Sequence, residues 1–298
     1  MNSTHSQAIK TMPKIHYQRQ VNGHKKSTLT KQLKQDEIAV EEPLQISLSY
    51  YNLQKLHYQT KILTLTMRTP GEDNALIYGF LLCEGIIKKK NDISACEFKV
   101  ISNSNTDTDT DTDNNAVCVI LAQHVQPDWK TLDRQFTNHS SCGICGKTSL
   151  NALQLKSPTD TDENLTTINN DRIFELPDQL RSHQAIFSQT GGLHAAGLYS
   201  NNQIVHIAED VGRHNAVDKV IGLHCLSNTN HKMAVLVLSG RISFELVQKA
   251  IMANINIIVS VGAPSSLAVT AAKSFDLTLI GFTKADCFNV YNGDWRIK

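Results

Sequence analysis

Between Met233 and Phe282 three short apolar runs, MAVLVLSG, INIIVSVGAP and LTLIGF, alternate with two segments of helical pattern, SFELVQKAIMAN and SSLAVTAAKSF. Apolar runs of this length, bounded by glycine and separated by helices, predict parallel strands in an α/β layer. Right-handed crossovers then restrict the topology to a few arrangements. Upstream, a helix is predicted near residues 174–186. AAGLYS and QIVHIAE read as a hairpin turning at Asn201 and Asn202, and a further helix starts near Arg213 or His214.

Each of the three runs ends in a turn of small residues: Ser239-Gly240-Arg241, Gly262-Ala263-Pro264-Ser265 and Gly281-Phe282-Thr283-Lys284. If the strands are parallel, the turns share one rim, the edge where open α/β sheets bind ligands. Two turns feed helix N-termini, whose free N–H groups favour anions, and Arg241 and Lys284 add positive charge. A phosphate-bearing ligand fits; tight turns with no ligand remain the alternative. The segment EDVGRHNAVDK places Glu209, Asp210, Arg213, His214, Asp218 and Lys219 at a helix start. Arg213 suits bidentate anion recognition, and an ion-pair network on a helix shoulder is the other reading. His194, in TGGLHAAG, reads as structural.

The N-terminal half has a different texture. LQISLSYY and KILTLTM predict strands joined by a turn near Asn52, TPGEDNALIYGFLLCEGII predicts a helix opening at Thr69 or Pro70, and ACEFKVIS and AVCVILAQHV predict another strand pair. The acidic insert between that pair, residues 102–115, resembles a calcium loop in its alternate Asp residues. The EF-hand pattern fails there, because Thr112 occupies the glycine position and Cys118 the glutamate position. A mobile hairpin loop is expected. Residues 1–35 carry seven Lys or Arg and no acid, and are expected to form a disordered basic arm. The predicted division is therefore the arm over 1–35, an N-terminal α+β domain over 36–140, a loop and linker over 141–171, and an α/β domain over 172–298.

With 298 residues, 41% hydrophobic and 19% charged, the chain can bury a core, and its net charge of +1 gives no general pull toward nucleic acid. No apolar run approaches the roughly 18 to 20 residues that span a bilayer. The start of the chain lacks the apolar core of a secretory signal, so a cytoplasmic protein with no membrane or nucleic-acid partner is expected. Seven cysteines, five of them isolated (Cys83, Cys96, Cys118, Cys225 and Cys287), make a poor disulfide framework.

The remaining two, Cys142 and Cys145, lie in SCGICGK. A structural zinc site needs two further ligands, and no second CxxC or HxxxH is present, so no metal is expected. A thioredoxin-type disulfide belongs between a strand and a helix, whereas this pair follows the polar DRQFTNHS. A sulfur carrier needs an accessible thiol of lowered pKa. Gly143 and Gly146 free backbone N–H groups to face a sulfur anion, and Lys147 adds positive charge.

The chain resembles the FdhD family of formate dehydrogenase accessory sulfurtransferases. The resemblance is carried by EEPLQISL, RTPGEDNALIYGFLLCEGII, SCGICGK, TGGLHAAGL, EDVGRHNAVDKVIG, SGRISFELVQKA, GAPSSLAV and GFTKADCFNVY, in that order over residues 41–291. It implies a protein that takes sulfur as a persulfide from a cysteine desulfurase. The sulfur then passes to the molybdenum of bis-molybdopterin guanine dinucleotide, the cofactor of formate dehydrogenase. Carried over by motif, Cys142 is the persulfide residue and Cys145 its partner, and Phe282, Thr283, Lys284, Ala285, Asp286 and Cys287 form the cofactor-binding segment. Arg213, His214 and Arg241 join them as candidates on the rim. The resemblance further implies a cytidine deaminase-like C-terminal domain without the deaminase zinc ligands, and a homodimer. The chain departs from the family at NVYNGDWRIK, where relatives have a His after the Tyr.

Overall fold

The computed structural model describes residues 7–22, 26–99, 115–129, 132, 166–227 and 233–298. Cys142, Cys145 and residues 102–114 of the acidic insert lie outside the described residues.

The segment expected to be a disordered arm is instead a two-stranded antiparallel ribbon of β1 (Ile9–Asn22) and β2 (Lys26–Ala39). Two features oppose disorder. Cross-strand pairing puts Ile9 opposite Ala39 and Ile15 opposite Leu33. At the base, Ala8, Ile9 and Ala39 pack with Ile186, Phe187, Leu193 and Val211, which supplies the burial that the charge pattern conceals.

The next unit is a four-stranded sheet in the order β4-β3-β6-β5. It consists of β3 (Glu42–Asn52), β4 (His57–Arg68), β5 (Ile93–Lys99) and β6 (Ala116–Leu121), as the alternation predicts. Leu44, Ile46 and Leu48 on β3 and Val117 and Val119 on β6 form a core with Leu76, Ile77 and Leu81 of α1 (Asp73–Cys83). That helix starts later than predicted, because Glu72 takes a left-handed conformation with φ 59° and serves as its N-cap. Behind it, Arg68 ties Glu42 and Asp73 together at 3.1 and 3.0 Å.

The C-terminal unit begins by Ile168, which bridges Ile297, so it starts slightly before the predicted boundary at 172. The one helix expected near 174–186 is two, α2 (Asn170–Ser182) and α3 (Ala185–Thr190). The predicted hairpin is present as β7 (His194–Ser200) and β8 (Gln203–Asp210), and Asn201 and Asn202 both take the positive φ that its turn requires. Next come α4 (Arg213–Leu226), β9 (Val235–Leu238), α5 (Phe244–Met252), β10 (Ile257–Ser260), α6 (Ser266–Ser274), β11 (Thr278–Gly281) and β12 (Asn289–Asn292).

β9, β10 and β11 are parallel, within a six-stranded sheet of order β12-β11-β10-β9-β7-β8. Alternate strand residues face opposite layers. Leu236, Leu238, Ile258 and Leu279 pack against α4, α5 and α6, whereas Val235, Val237, Ile257 and Ile280 pack with Ile173, Leu176 and Leu180 of α2.

The two units meet where α1 crosses α4. A Cβ at Gly79 would sit 1.8 Å from the Asp218 carbonyl oxygen, and one at Gly222 would sit 1.8 Å from that of Ala75. Only glycine permits this approach. No helix among the described residues is long and apolar enough to cross a membrane.

Candidate functional site

The turns after β9, β10 and β11 lie on one rim and press against one another. A Cβ at Gly262 would stand 2.6 Å from the Arg241 nitrogen, and one at Gly281 would stand 2.9 Å from the Gly262 oxygen. Phe282 N donates to Gly262 O at 3.1 Å, Thr283 N to Ser260 O at 3.0 Å, and Ile242 N to Ala263 O at 3.0 Å. Small residues here make tight turns and also a rigid platform.

Within the segment Phe282–Cys287, Phe282 is 42% exposed and holds φ 55°, a conformation that stores strain in a non-glycine residue. Thr283 is buried, and its Oγ1 has no partner among the described residues. Lys284 N donates to Cys287 O at 2.8 Å and closes the turn. Lys284, Ala285, Asp286 and Cys287 are exposed.

Arg213, His214 and Arg241 come together beside β7. His194, read from the sequence as structural, joins them: a Cβ at Gly240 would lie 3.3 Å from its Nδ1. Partial burial, then Arg213 and Arg241, hold the His194 imidazole below its ordinary pKa. Desolvation, followed by Lys249 and Arg213, pushes His214 down to about 4 against the pull of Glu245. His214 is therefore neutral at pH 7. Its Nε2 lies 3.3 Å from Ser243 Oγ and 4.0 Å from Glu245. No hydrogen bond or ion pair among the described residues links this cluster to the Lys284 turn, although both occupy the rim.

The other four charged residues of EDVGRHNAVDK are structural, as the ion-pair reading holds. Glu209 accepts from Ile186 N and Phe187 N at 3.0 and 2.8 Å and caps α3. Asp210 meets Lys219 Nζ at 2.8 Å and accepts from Thr69 N, Gly212 N and Asn215 Nδ2. Lys219 also donates to Thr69 O at 2.8 Å, so this buried knot fastens the RTPG loop to the start of α4. Asp218 pairs with Lys249 at 2.7 Å, a contact between α4 and α5. A pairing of EDVGRHNAVDK with RTPGED is not visible in either stretch alone.

Two cavities flank these groups. One of about 580 Å³ opens on the rim, lined by Arg181, Gln184, Phe187, Gly192, His194 and Ser239 among others. Arg213, Arg241 and Lys284 are not among its lining residues. The other, about 610 Å³, lies between β4 and the helices α1, α4 and α5, where His214, Asp218, Glu245 and Lys249 form its polar wall.

None of the thiols with a resolved shift is tuned for nucleophilic work. Burial pushes Cys83 well up, Cys96 up to about 11, and Cys225 up as well. Among the described residues no cluster of three His, Cys, Asp or Glu could hold a metal ion.

Comparison with known proteins places these features in context. The model of the FdhD/NarQ family matches residues 40–298. The sulfur carrier protein FdhD of Mycobacterium tuberculosis is 42% identical over 265 residues, covering 87% of this chain and 91% of its own. Those of Streptomyces coelicolor and Picrophilus torridus are each 40% identical, over 88% of this chain and 89% and 92% of theirs. Among solved structures, a candidate formate dehydrogenase accessory protein from Desulfotalea psychrophila shares the fold. Its TM-score is 0.64 at 22% identity, and the match covers 96% of this chain and 99% of that one.

Proposed function

The chain belongs to the FdhD/NarQ family, and on that premise we propose that it is a persulfide-forming sulfurtransferase. It takes sulfur from a cysteine desulfurase and delivers it to the molybdenum of bis-molybdopterin guanine dinucleotide, its substrate, for the maturation of formate dehydrogenase. The observation that carries the reading is the Cys142/Cys145 pair in a glycine-rich loop of a chain about two-fifths identical to relatives named sulfur carriers.

The chemistry needs both thiols. The Cys142 thiolate attacks the outer sulfur of the donor's cysteine persulfide. A new S–S bond forms, the donor's S–S bond breaks, and the donor leaves as a thiolate. Delivery as sulfide requires two electrons. Attack of the Cys145 thiolate on the inner sulfur of Cys142 supplies them: the Cys142–Cys145 disulfide forms and hydrosulfide departs toward the metal. A dithiol reductant then reopens the disulfide.

The cargo's guanine nucleotide sits on the rim. Arg213, Arg241 and Lys284 meet its phosphates, and the Phe282–Cys287 turn takes the nucleotide. His214, being neutral, offers a ring nitrogen without adding charge. The sheet with helices on both faces supports the cytidine deaminase-like reading of the C-terminal unit. The protein works in the cytoplasm as a homodimer.

Calorimetry with guanosine diphosphate tests the rim. Arg241→Ala and Lys284→Ala should each weaken binding about 10-fold or more, since a charge-assisted hydrogen bond contributes about 1.5–3 kcal/mol. Unchanged affinities would put the nucleotide elsewhere. In cells, Cys142→Ala should leave formate dehydrogenase inactive, with Cys145→Ala milder if a free thiol can substitute for it. Full maturation by Cys142→Ala would leave only a non-covalent cofactor chaperone.

A further inference from the structure

The cavity of about 580 Å³ on the rim has no part in the steps above, yet one side chain that lines it stands out. Gln184 is 4% exposed, and its side-chain amide makes no hydrogen bond among the described residues. Its backbone is fully engaged: Gln184 N donates to Arg181 O at 3.2 Å, and Gln184 O accepts from Ser188 N at 3.0 Å and Ser188 Oγ at 2.7 Å. Gln184 is the N-cap of α3, but its side chain does not cap the helix. Glu209 takes the free N–H groups of Ile186 and Phe187 instead. A buried amide left without a partner costs stability. A spare donor and acceptor opening on a cavity therefore point to a ligand.

The walls around that amide are built from three elements. The Arg181 guanidinium lies 4.0 Å from the centre of the Phe187 ring, a planar cation on an aromatic group, and both residues line the cavity. Behind Phe187 and Leu193 the base of the ribbon packs through Ile9 and Ala39. The Ala39 Cβ lies 3.6 Å from where a Cβ at Gly192 would stand, so the ribbon backs this wall. His194 lines the cavity too and lies within electrostatic reach of Arg213 and Arg241, so the cavity borders the basic cluster without containing it.

We propose that this cavity takes the pterin end of the cargo, with Gln184 as the residue that reads the edge of its ring. The inference rests on the reading of the cargo as bis-molybdopterin guanine dinucleotide and deepens it by separating the two ends. A pterin presents a ring N–H beside a carbonyl oxygen, and an amide side chain can accept from the one and donate to the other. The flat ring system suits a wall made of a guanidinium on a phenylalanine. Guanine carries the same edge, so the edge alone fits either end of the cargo. Position decides between them. The candidate phosphate partners Arg213, Arg241 and Lys284 do not line the cavity, so a nucleotide held by them leaves the cavity to the pterin. His194, between the cavity and the arginines, marks the path from one end to the other.

The test titrates pterin itself, followed by its fluorescence, into the full chain, with guanosine diphosphate followed in parallel by calorimetry. Wild type should bind pterin saturably. Gln184→Met, close to glutamine in length, should weaken pterin at least about 10-fold and change guanosine diphosphate affinity less than about 2-fold. The same variant should unfold at a midpoint no lower than wild type, because the amide has no protein partner to lose, whereas a structural role would lower it. Arg181→Met, at an exposed position, should also weaken pterin and stands in if Gln184→Met fails to fold. No saturable pterin binding, binding that neither variant weakens, or displacement of pterin by guanosine diphosphate would each overturn the proposal. Pterin bound and weakened by Gln184→Met where guanosine diphosphate does not bind would support it and sink only the placement of the nucleotide.

Discussion

Gly222→Ala should destabilise the protein by about 3 kcal/mol, the upper part of the range for overpacking, or more. In an exposed helix interior the same change would stabilise by about 1 kcal/mol, because alanine is the better helix former. Here the sign reverses. The new Cβ would lie 1.8 Å from the Ala75 oxygen and 2.6 Å from the Ala75 carbon, both backbone atoms of α1. No rotamer change relieves a clash with backbone, so the helices must separate. Separation opens the contact between the N-terminal core, reached through Leu76 and Leu81, and the C-terminal core, reached through Val217 and Val220. Gly191→Ala is the control: its φ of 68° is strained for alanine, but nothing lies within 4 Å, so a loss of about 1–2 kcal/mol is expected. Denaturant unfolding of both variants checks the pair. Equal small losses would show that the crossing yields easily.

Lys249→Met should cost about 3 kcal/mol or more at pH 8, because it strands a buried carboxylate. Lys249 Nζ lies 2.7 and 2.9 Å from the two oxygens of Asp218, which is 2% exposed, and 4.0 Å from Glu84. Burial pushes the Asp218 carboxyl up to about 6, against the opposing pull of Lys249. Without the ammonium that opposition vanishes and the carboxyl rises further. Its folded pKa then exceeds its unfolded pKa of about 3.9 by a wide margin. The folded state therefore binds the extra proton, and the deficit of Lys249→Met should shrink as pH falls from 8 toward 5. Lys249→Met with Asp218→Leu should recover much of the loss, since apolar replacement of a buried pair is often neutral. A pH-independent deficit would show that lost packing, not the stranded charge, dominates.

These two sites illustrate what the sequence can and cannot disclose. The parallel strands β9 to β11 and their shared rim were legible, because short apolar runs ending in glycine between helical segments have few other readings. The Asn201-Asn202 turn was legible for a local reason: a tight hairpin needs positive φ and asparagine tolerates it. Gly79 and Gly222 were not, since a glycine inside a helix carries no mark of the backbone it touches. The ribbon was misread because net charge outweighed its cross-strand apolar pairs, whose value depends on a register that composition does not reveal. In EDVGRHNAVDK the ion-pair reading holds for four residues, and the ligand reading of Arg213 and His214 is a proposal. Glu209, Asp210, Asp218 and Lys219 hold elements together, while Arg213 and His214 face the rim with His194. Only the packing of RTPGED against it separates them. The Cys142/Cys145 pair remains a reading from motif, lying outside the described residues.

That pair carries the central claim, and one measurement addresses it directly. The protein is incubated with a cysteine desulfurase and free cysteine, kept from air so that a reactive thiolate is not oxidised, then digested without reductant and examined by mass spectrometry. The account predicts one added sulfur atom on the peptide containing Cys142, absent from Cys142→Ala. Sulfur found only on another cysteine, or on none while formate dehydrogenase is still matured, would contradict it.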